Sequence, residues 1–173
     1  MRTTAYLSLG SNLGNREANL NHAIEQIEES GSVVARSSWY ETEPVETTEE
    51  QGWFLNCAVA LETEFMAPEL LARVLAIEQS MGRKRITAKG PRIIDVDILL
   101  FGDAVIDTAD LTVPHPGMHT RRFVLAPLAE IAPEIRHPLL NRTVRELVDA
   151  LPGGQAVRKV KTQDLTTDNT DKH

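Results

Sequence analysis

GPRIIDVDILLFG, residues 90–102, contains the clearest strand signal of the chain. Residues 93–101 are rich in aliphatic and aromatic types and end at a Gly-Asp turn, which predicts a β-strand. Because side chains alternate along a strand, Asp95 and Asp97 are expected on one face, together with Ile93 and Leu99. The other face is expected to be aliphatic and to consist of Ile94, Val96, Ile98 and Leu100.

The two aspartates of this strand predict a metal site. Their Cα atoms should lie roughly 6–7 Å apart at about 3.3 Å of rise per residue, so two ionised carboxylates would repel each other. A shared hard cation offsets that repulsion, and Mg²⁺ is typically held by one or two carboxylates with water and phosphate oxygens. The alternative is a half-solvated strand whose polar face happens to be acidic, because a bare Asp-x-Asp pattern is weak evidence for a metal.

A basic segment directly upstream favours the metal interpretation. Five of the ten residues from 83 to 92 are Arg or Lys, and Gly82 and Gly90 flank most of them. A basic loop between glycines can close over a polyphosphate, because guanidinium groups pair strongly with phosphate oxygens. The alternative is a solvated loop that balances nearby acids. Carboxylates for a metal beside arginines for phosphate indicate a magnesium-nucleotide site.

Composition limits the class of protein. The 173 residues suffice for one sizeable core, and we expect a single domain over residues 1–160 followed by a polar tail, 161–173. A net charge of −7 disfavours general binding to nucleic acid or anionic membrane. The single Cys57 excludes an intramolecular disulfide and a cysteine-based zinc site. Since neither a signal peptide nor an apolar run of membrane-spanning length is evident, the expected location is the cytoplasm.

The other segments predict a β-α-β-β-α-β order. Expected strands cover residues 6–9, 33–42, 54–63, 93–101, 104–106 (a hairpin after Gly102-Asp103) and 156–160. Expected helices run through Leu20 and Ile27 to about Gly31, and over 67–82, 123–129 and 143–151. This order predicts an α+β fold, a ferredoxin-like sandwich with a largely antiparallel sheet and helices packed on it. Both long helices would cover one face and leave the other for a ligand and the C-terminal elements.

Two of the expected helices carry specific predictions. The helix over 67–82 should bury one stripe and leave Glu78, in its last turn, solvated. Pro127 should kink or shorten the helix over 123–129. The residues expected in the buried stripe are Leu70, Leu71, Val74, Leu75, Ile77 and Met81.

These motifs resemble those of the 6-hydroxymethyl-7,8-dihydropterin pyrophosphokinase family of folate biosynthesis. The segment from Gly90 to Leu99 is similar to its highly specific signature, and the resemblance covers roughly residues 5–151. It implies Mg-dependent transfer of pyrophosphate from ATP to the hydroxymethyl group of the pterin, with release of AMP. The other matching blocks, in chain order, are Gly10-Ser11-Asn12-Leu13, Phe54-Leu55-Asn56, Glu78…Gly82-Arg83, Val113-Pro114-His115 and Arg121…Phe123.

The resemblance also implies the tasks of individual residues. Asp95 and Asp97 would hold two Mg²⁺ ions against the triphosphate, and Arg83 and Arg92 would act with them in catalysis as phosphate clamps. Two phenyl rings would sandwich the pterin, and an asparagine amide would read its edge. The implied ATP-binding residues are Glu78, Arg83, Arg85, Arg92, Ile98, Thr112, His115 and Arg121. The implied pterin-binding residues are Thr42, Pro44, Val45, Phe54, Asn56 and Phe123.

Three other functions fit parts of the pattern. A non-catalytic ferredoxin-like module that binds a metabolite would need neither paired aspartates nor an arginine-rich segment. Another Mg-dependent nucleotidyl or phosphoryl transferase would release pyrophosphate or ADP. An RNA-binding module would need basic and aromatic residues across its sheet, which the acidic balance disfavours. We expect ATP and a hydroxymethyl-dihydropterin as small-molecule substrates, no nucleic-acid or membrane partner, and a monomer, with a dimer left open.

Overall fold

Two long antiparallel strands, β1 (Thr3–Ser11) and β4 (Phe54–Thr63), form the centre of the sheet. A computed structural model describes residues 1–43, 53–82, 93–154 and 156–160. The sheet also contains β2 (Ser32–Arg36), β3 (Tyr40–Thr42), β5 (Asp95–Phe101) and β8 (Val157–Lys159). Its order is β5-β1-β4-β3-β8, with β2 also beside β4, and all pairs described are antiparallel. A separate pair consists of β6 (Ile106–Asp107) and β7 (Thr112–Val113).

Helices cover both faces of this sheet. The long helices α1 (Arg16–Ile27) and α2 (Ala67–Ser80) pack on one face. Helix α3 (Arg122–Ile131) packs on the other, and α4 (Val144–Asp149) packs against α3. This arrangement confirms the predicted α+β fold with an antiparallel sheet. No helix among the residues described is long and apolar enough to span a membrane.

The two faces of β4 differ in the size of their side chains. Leu55, Val59 and Leu61 fill the core under α1 and α2, whereas Ala58 and Ala60 are buried on the face that α3 covers. Small side chains let α3 approach the strand closely, so β4 is buried on both sides and reads as an almost continuous apolar run. The core on the α3 side is completed by Leu99, Leu100, Met118, Val124, Leu125, Leu128, Val144 and Leu147.

The prediction of one continuous strand over residues 33–42 is wrong, because the chain there forms two strands, β2 and β3, with an interruption between them. The hydroxyl of Ser37 accepts a hydrogen bond from the N–H of Ala58 (2.9 Å), a group that would otherwise bond to backbone. The next N–H, of Ser38, donates to the Glu130 carboxylate (3.1 Å) rather than to a strand. Side-chain oxygens thus compete with the ladder at this point and break the strand.

The predicted face of Leu100 is also wrong. Tyr6 pairs with Leu100 and Leu7 pairs with Ile98, so Leu99 is an extra residue in β5. Such a bulge shifts the alternation by one position, and Leu99 and Leu100 consequently both join the core on the α3 side. The predicted hairpin would pair the residues after Gly102 with β5, and this pairing is wrong. After the turn at Gly102 the chain forms β6, which pairs with β7.

Three details of the predicted helices need correction. Leu75 is 52% exposed rather than buried, whereas Glu78 is only 3% exposed and is not solvated. Helix α3 continues four residues beyond Pro127 to Ile131, so the proline does not shorten it. Burial of Leu125 and Leu128 against the sheet compensates for the hydrogen bond that proline cannot donate.

The C-terminal elements follow the prediction closely. Thr143 Oγ1 accepts from the N–H of Glu146 (3.1 Å), and Glu146 Oε1 accepts from the N–H of Thr143 (2.9 Å), which is a capping box at the start of α4. The predicted strand at 156–160 is β8, which pairs with β3 at the edge of the sheet. The predicted tail, 161–173, lies outside the described residues.

His137 fixes the loop between α3 and α4 from inside. The residue is 4% exposed, and its Nδ1 accepts hydrogen bonds from the N–H groups of Leu139 (3.2 Å) and Leu140 (3.1 Å). Both bonds require Nδ1 to carry no proton. Burial, and then the nearby His119, lower the pKa of His137 below its ordinary value of 6.5.

We expect the free energy of unfolding to fall as the pH drops below 6.5, because the unfolded chain then binds a proton that folded His137 does not. The loss continues down to the lowered folded pKa, at no more than about 1.4 kcal/mol per pH unit from one group. Urea denaturation of the wild type and His137→Asn at pH 7.5 and 5.5 measures it. Asparagine keeps an acceptor near the position of Nδ1 but does not titrate. The free energy of unfolding of His137→Asn should therefore fall less between the two pH values than that of the wild type. Equal losses in both proteins would contradict the assignment.

Candidate active site

Three adjacent strands place Asp95, Gly10 and Asn56 in one row. Gly10 of β1 is the register partner of Asn56 on β4 and of Asp95 on β5. Direct partners in antiparallel strands point to the same face, and strands lie about 4.8 Å apart, so the backbones at Asp95 and Asn56 are about 10 Å apart. In the next row Ser8 pairs with Asp97 and Ala58. This end of the face covered by α3 therefore carries polar side chains on both sides of Gly10.

Gly10 leaves room for the Asn56 amide of the neighbouring strand. A Cβ atom at position 10 would lie 2.5 Å from Nδ2 of Asn56 and 3.4 Å from Cδ1 of Phe54. The first distance is a steric clash, so a larger residue would displace the Asn56 amide. Glycine is required here by close approach of side chains and not by a left-handed backbone.

Asp95 and Asp97 share this face, as predicted, while Val96 and Ile98 point into the opposite core. Beside the aspartates lies a cavity of about 490 Å³. Its walls come from α2, β5 and the segment from Asp110 to Arg121. Besides both aspartates, the cavity brings together all the predicted ATP-binding residues that the structure describes: Glu78, Ile98, Thr112, His115 and Arg121.

Glu78 reaches this cavity from the last turn of α2 and bonds to β5. Its Oε2 accepts a hydrogen bond of 2.8 Å from the N–H of Val96. That N–H lies between the two aspartates and on the outer edge of the sheet, where β5 has no neighbouring strand among the described residues. A buried carboxylate thus satisfies an edge donor and fixes the backbone that carries Asp95 and Asp97.

His115 faces the aspartates from the other wall of the cavity. Its Nε2 lies 3.9 Å from Oδ1 of Asp97, and its Nδ1 accepts a hydrogen bond from the N–H of Gly117 (3.2 Å). Burial and the charge of Arg121 lower the pKa of His115, against an opposing effect of Asp95. A neutral ring with the proton on Nε2 follows, and it presents a donor toward the cavity.

The predicted pterin-binding residues that the structure describes lie next to the row. Thr42 Oγ1 donates to Oδ1 of Asn56 (2.7 Å), and Nδ2 of Asn56 donates to the carbonyl of Leu9 (3.4 Å). These bonds fix which end of the amide is the donor, and each end retains capacity for a ligand. Phe54 precedes Asn56 by two residues and lies on the same face of β4, where its ring approaches Gly10.

Phe123 lies in the first turn of α3, on the face of the sheet that carries Asn56. Its ring centroid is 6.0 Å from the guanidinium carbon of Arg121, which lines the cavity. This distance is within the range of a cation–π contact. The predicted residues Pro44, Val45, Arg83, Arg85 and Arg92 lie outside the described residues.

The sequence interpretation missed several residues of the cavity. Leu71, Leu75 and Leu111 provide apolar surface, and Asp110 adds a carboxylate. Their ordinary residue types give no signal in the sequence. Gly10 was part of a matched motif, but its position between Asp95 and Asn56 emerges only from the strand register.

The donors at Asp95 and Asp97 fit a magnesium ion better than a metal enclosed by protein. Across the described parts of the chain, no group of three or more His, Cys, Asp or Glu side chains could hold a metal. As far as the described residues go, a metal at the two carboxylates would take its other ligands from water or substrate. Mg²⁺ binds in this way, through one or two carboxylates and phosphate oxygens.

Comparison with known sequences identifies similar proteins over most of the chain. The profile of the 7,8-dihydro-6-hydroxymethylpterin-pyrophosphokinase (HPPK) family matches residues 6–133. The 2-amino-4-hydroxy-6-hydroxymethyldihydropteridine pyrophosphokinase of Methylorubrum extorquens is 44% identical over 155 residues, which are 88% of this chain and 96% of the relative. The folic acid synthesis protein FOL1 of Dictyostelium discoideum is 37% identical over 155 residues, but the chain spans only 23% of that longer protein.

Solved structures show the same fold. The HPPK-DHPS of Plasmodium falciparum, determined with pteroate, superimposes with a TM-score of 0.69 at 19% identity. The match covers 86% of this chain and 42% of that chain. At so low an identity the likeness concerns the fold alone.

Proposed function

Because the chain belongs to the 7,8-dihydro-6-hydroxymethylpterin-pyrophosphokinase family, we propose that it transfers pyrophosphate from ATP to the hydroxymethyl group of 6-hydroxymethyl-7,8-dihydropterin. Such a protein is an ATP-dependent diphosphokinase of folate biosynthesis, of enzyme class 2.7.6, and ATP is its co-substrate. The observation that best supports the proposal is the row of Asp95, Gly10 and Asn56. It sets a candidate metal ligand and a candidate pterin contact about 10 Å apart, across two strand spacings, with a glycine between them.

The reaction needs positioning more than a protein nucleophile. The substrate hydroxyl attacks the β-phosphorus of ATP, the new O–P bond forms, the bridging α,β oxygen leaves with AMP, and the hydroxyl proton is released. We propose that Asp95 and Asp97 hold two Mg²⁺ ions. When bound, these ions would neutralise the charge that develops on the phosphate oxygens. Arg83 and Arg92, outside the described residues, are proposed as phosphate clamps.

The cavity beside the aspartates is proposed as the ATP site. Its apolar wall of Leu71, Leu75 and Leu111 suits a nucleobase, and Arg121 and neutral His115 supply donors for phosphate or ribose. The residues proposed to contact ATP are Glu78, Arg83, Arg85, Arg92, Ile98, Thr112, His115 and Arg121. Glu78 is proposed to contribute mainly through the backbone of Val96, since its Oε2 is already bonded there.

We propose that Thr42, Phe54, Asn56 and Phe123 together form the pterin site. Pro44 and Val45 are also proposed to contact the pterin. A flat heteroaromatic ring stacks well on phenyl faces, and the Asn56 amide offers one donor and one acceptor to its edge. A monomeric state and a cytoplasmic location stay predictions.

Product identification tests the proposal. The protein is incubated with MgATP and 6-hydroxymethyl-7,8-dihydropterin, and the nucleotide products are separated by anion-exchange chromatography. The expected result is AMP in equimolar amount to the pyrophosphorylated pterin, with none in the presence of EDTA. Formation of ADP or of free pyrophosphate would indicate a different transferase, and absence of any pterin-dependent turnover would contradict the proposal.

Gly10→Ala is expected to raise the KM for the pterin about tenfold or more, because the new methyl group must push the Asn56 amide from a distance of 2.5 Å. The KM for ATP should change much less. Steady-state kinetics with each substrate varied separately measure both constants. Gly153→Ala is the matched control, since a Cβ there meets no atom within 4 Å. An unchanged KM for the pterin in Gly10→Ala would show that Asn56 does not contact the substrate.

A further inference from the structure

The side chain of Arg16 lies outside the residues assigned to either substrate, yet it joins two segments of the pterin site. It lines a cavity of about 660 Å³ together with Asn12, Gly14, Glu41, Trp53 and Arg158. This cavity shares no lining residue with the one proposed for ATP. The Arg16 cluster, meaning Arg16, Glu41, Trp53 and Arg158, is a connected set of contacts within it.

Nη1 of Arg16 contacts one strand and the residue that directly precedes another. It lies 2.9 Å from Oε2 of Glu41 on β3 and donates a 3.0 Å hydrogen bond to the carbonyl of Trp53, directly before β4. The Arg16 and Glu41 side chains are only 20% and 15% exposed, so water competes weakly for this ion pair. Glu41 also accepts a hydrogen bond from Arg158 of β8.

Glu41 is held in its ionised form by this arrangement. Burial alone would raise the pKa of its carboxyl, but hydrogen bonds from Arg158 and Arg16 outweigh that effect and lower the pKa below the ordinary 4.5. The carboxylate is therefore a fixed anion at neutral pH. It binds Arg16 and Arg158 at the same time.

Each contact of Arg16 is one residue from the pterin site. Glu41 precedes Thr42, and Trp53 precedes Phe54; Thr42 and Phe54 are register partners. Thr42 in turn orients the Asn56 amide through the 2.7 Å hydrogen bond to its Oδ1. A shift of either neighbour would thus alter the spacing of the groups proposed to stack on the pterin and to read its edge.

The backbone of Arg16 is itself well anchored. Arg16 is the first residue of α1, and Asn15 caps this helix by accepting from the N–H of Ala18 (3.0 Å). Asn19 of the first turn donates to Ser11 Oγ (3.1 Å) and to the carbonyl of Leu13 (2.8 Å), which fixes the helix to the end of β1. The guanidinium therefore projects from a rigid base.

We propose that Arg16 is a positioning residue for the dihydropterin: its guanidinium sets the geometry of Thr42 and Phe54 by binding Glu41 and the Trp53 carbonyl together. This inference rests on the proposed function. Arg158 supports Glu41 from the C-terminal strand, so β8 contributes to substrate binding as well as to the sheet. Because the Arg158 side chain is 68% exposed, its contribution is the smaller of the two.

Kinetics of Arg16→Ala, Arg16→Lys and Arg158→Ala test the proposal in the full chain. Arg16→Ala is expected to raise the KM for 6-hydroxymethyl-7,8-dihydropterin about tenfold, as loss of charge-assisted hydrogen bonds implies, with the KM for ATP and kcat within about twofold. Arg16→Lys should recover part of the loss, since an ammonium can still bind both oxygens. Arg158→Ala should raise the same KM about two- to threefold.

The matched control is Arg73→Ala, which removes an exposed ion pair with Glu29 (3.6 Å) and should leave all constants unchanged. The proposal would be overturned if Arg16→Ala had the same KM for the pterin as the wild type. It would also be overturned if kcat and thermal stability fell while that KM stayed unchanged. So would an Arg16→Lys variant no better than Arg16→Ala. If wild type itself forms no AMP from the pterin, the proposed function fails, and this result is distinct from all of the others.

Discussion

Asp97→Asn and Asp95→Asn are each expected to reduce AMP formation at least a thousandfold. The amide has nearly the same shape as the carboxylate but lacks the charge that Mg²⁺ requires, and a bound metal is worth several kcal/mol to the transition state. Each 1.36 kcal/mol of transition-state stabilisation corresponds to a factor of ten in rate. A loss of about 4 kcal/mol therefore lowers the rate about a thousandfold. Both residues line the cavity and lie on one face of β5, and both are proposed to bind the metal.

Folding should survive these substitutions. Both side chains lie at the cavity rather than in a core, and an isosteric change creates no void. The melting temperature is therefore expected to stay within about 2 °C of wild type. Asp107→Asn, an exposed acid on β6, is the control for loss of one negative charge. Turnover near the wild-type rate in either variant of β5 would remove the basis for the metal assignment.

Phe123→Ala is expected to raise the dissociation constant for the dihydropterin by one to two orders of magnitude. Loss of a stacking face costs about 0.5–1.5 kcal/mol in addition to the apolar area that the ring no longer covers. The affinity for MgATP should change by less than about threefold, although Arg121 lies 6.0 Å from the ring centroid and loses a weak contact. Calorimetric titration with each ligand separately measures the two constants.

Val124→Ala separates this effect from simple packing. Val124 is the next residue of α3 and is buried against the sheet, so its truncation should lower stability by about 1 kcal/mol with little effect on pterin affinity. Phe123→Leu keeps apolar volume without an aromatic face and should lie between wild type and Phe123→Ala. Equal weakening of pterin and ATP in Phe123→Ala would indicate that the ring stabilises the fold instead.

Local patterns were sufficient for most of the fold. The strand at 54–63 has the predicted bounds, and the capping box at Thr143 starts α4 as its spacing indicates. Periodicity also predicted a sheet with two long helices on one face, because an amphipathic helix must bury its stripe somewhere. The failures lie where distant groups intervene, such as Glu130, which binds the N–H of Ser38 and helps to end the strand there.

The bulge at Leu99 shows the same limit on a smaller scale. Alternation placed Leu100 beside Val96, but pairing with β1 inserts one extra residue and moves Leu100 to the opposite core. Glu78 is a further example. An acid in the last turn of a helix is usually solvated, but the edge of β5, folded beside α2, gives Glu78 a buried donor in the N–H of Val96.

The sequence by itself determined the residue types of the site: paired carboxylates on a strand, a basic segment before them, and a motif order that is specific to one family. Side-chain chemistry and local periodicity carry that information, since neither depends on where the rest of the chain lies. Only the tertiary structure decided that Gly10 separates Asp95 from Asn56 and that Arg16 joins the two strands of the pterin site. Those relations depend on strand register and on contacts between residues far apart in the chain, which no local pattern encodes.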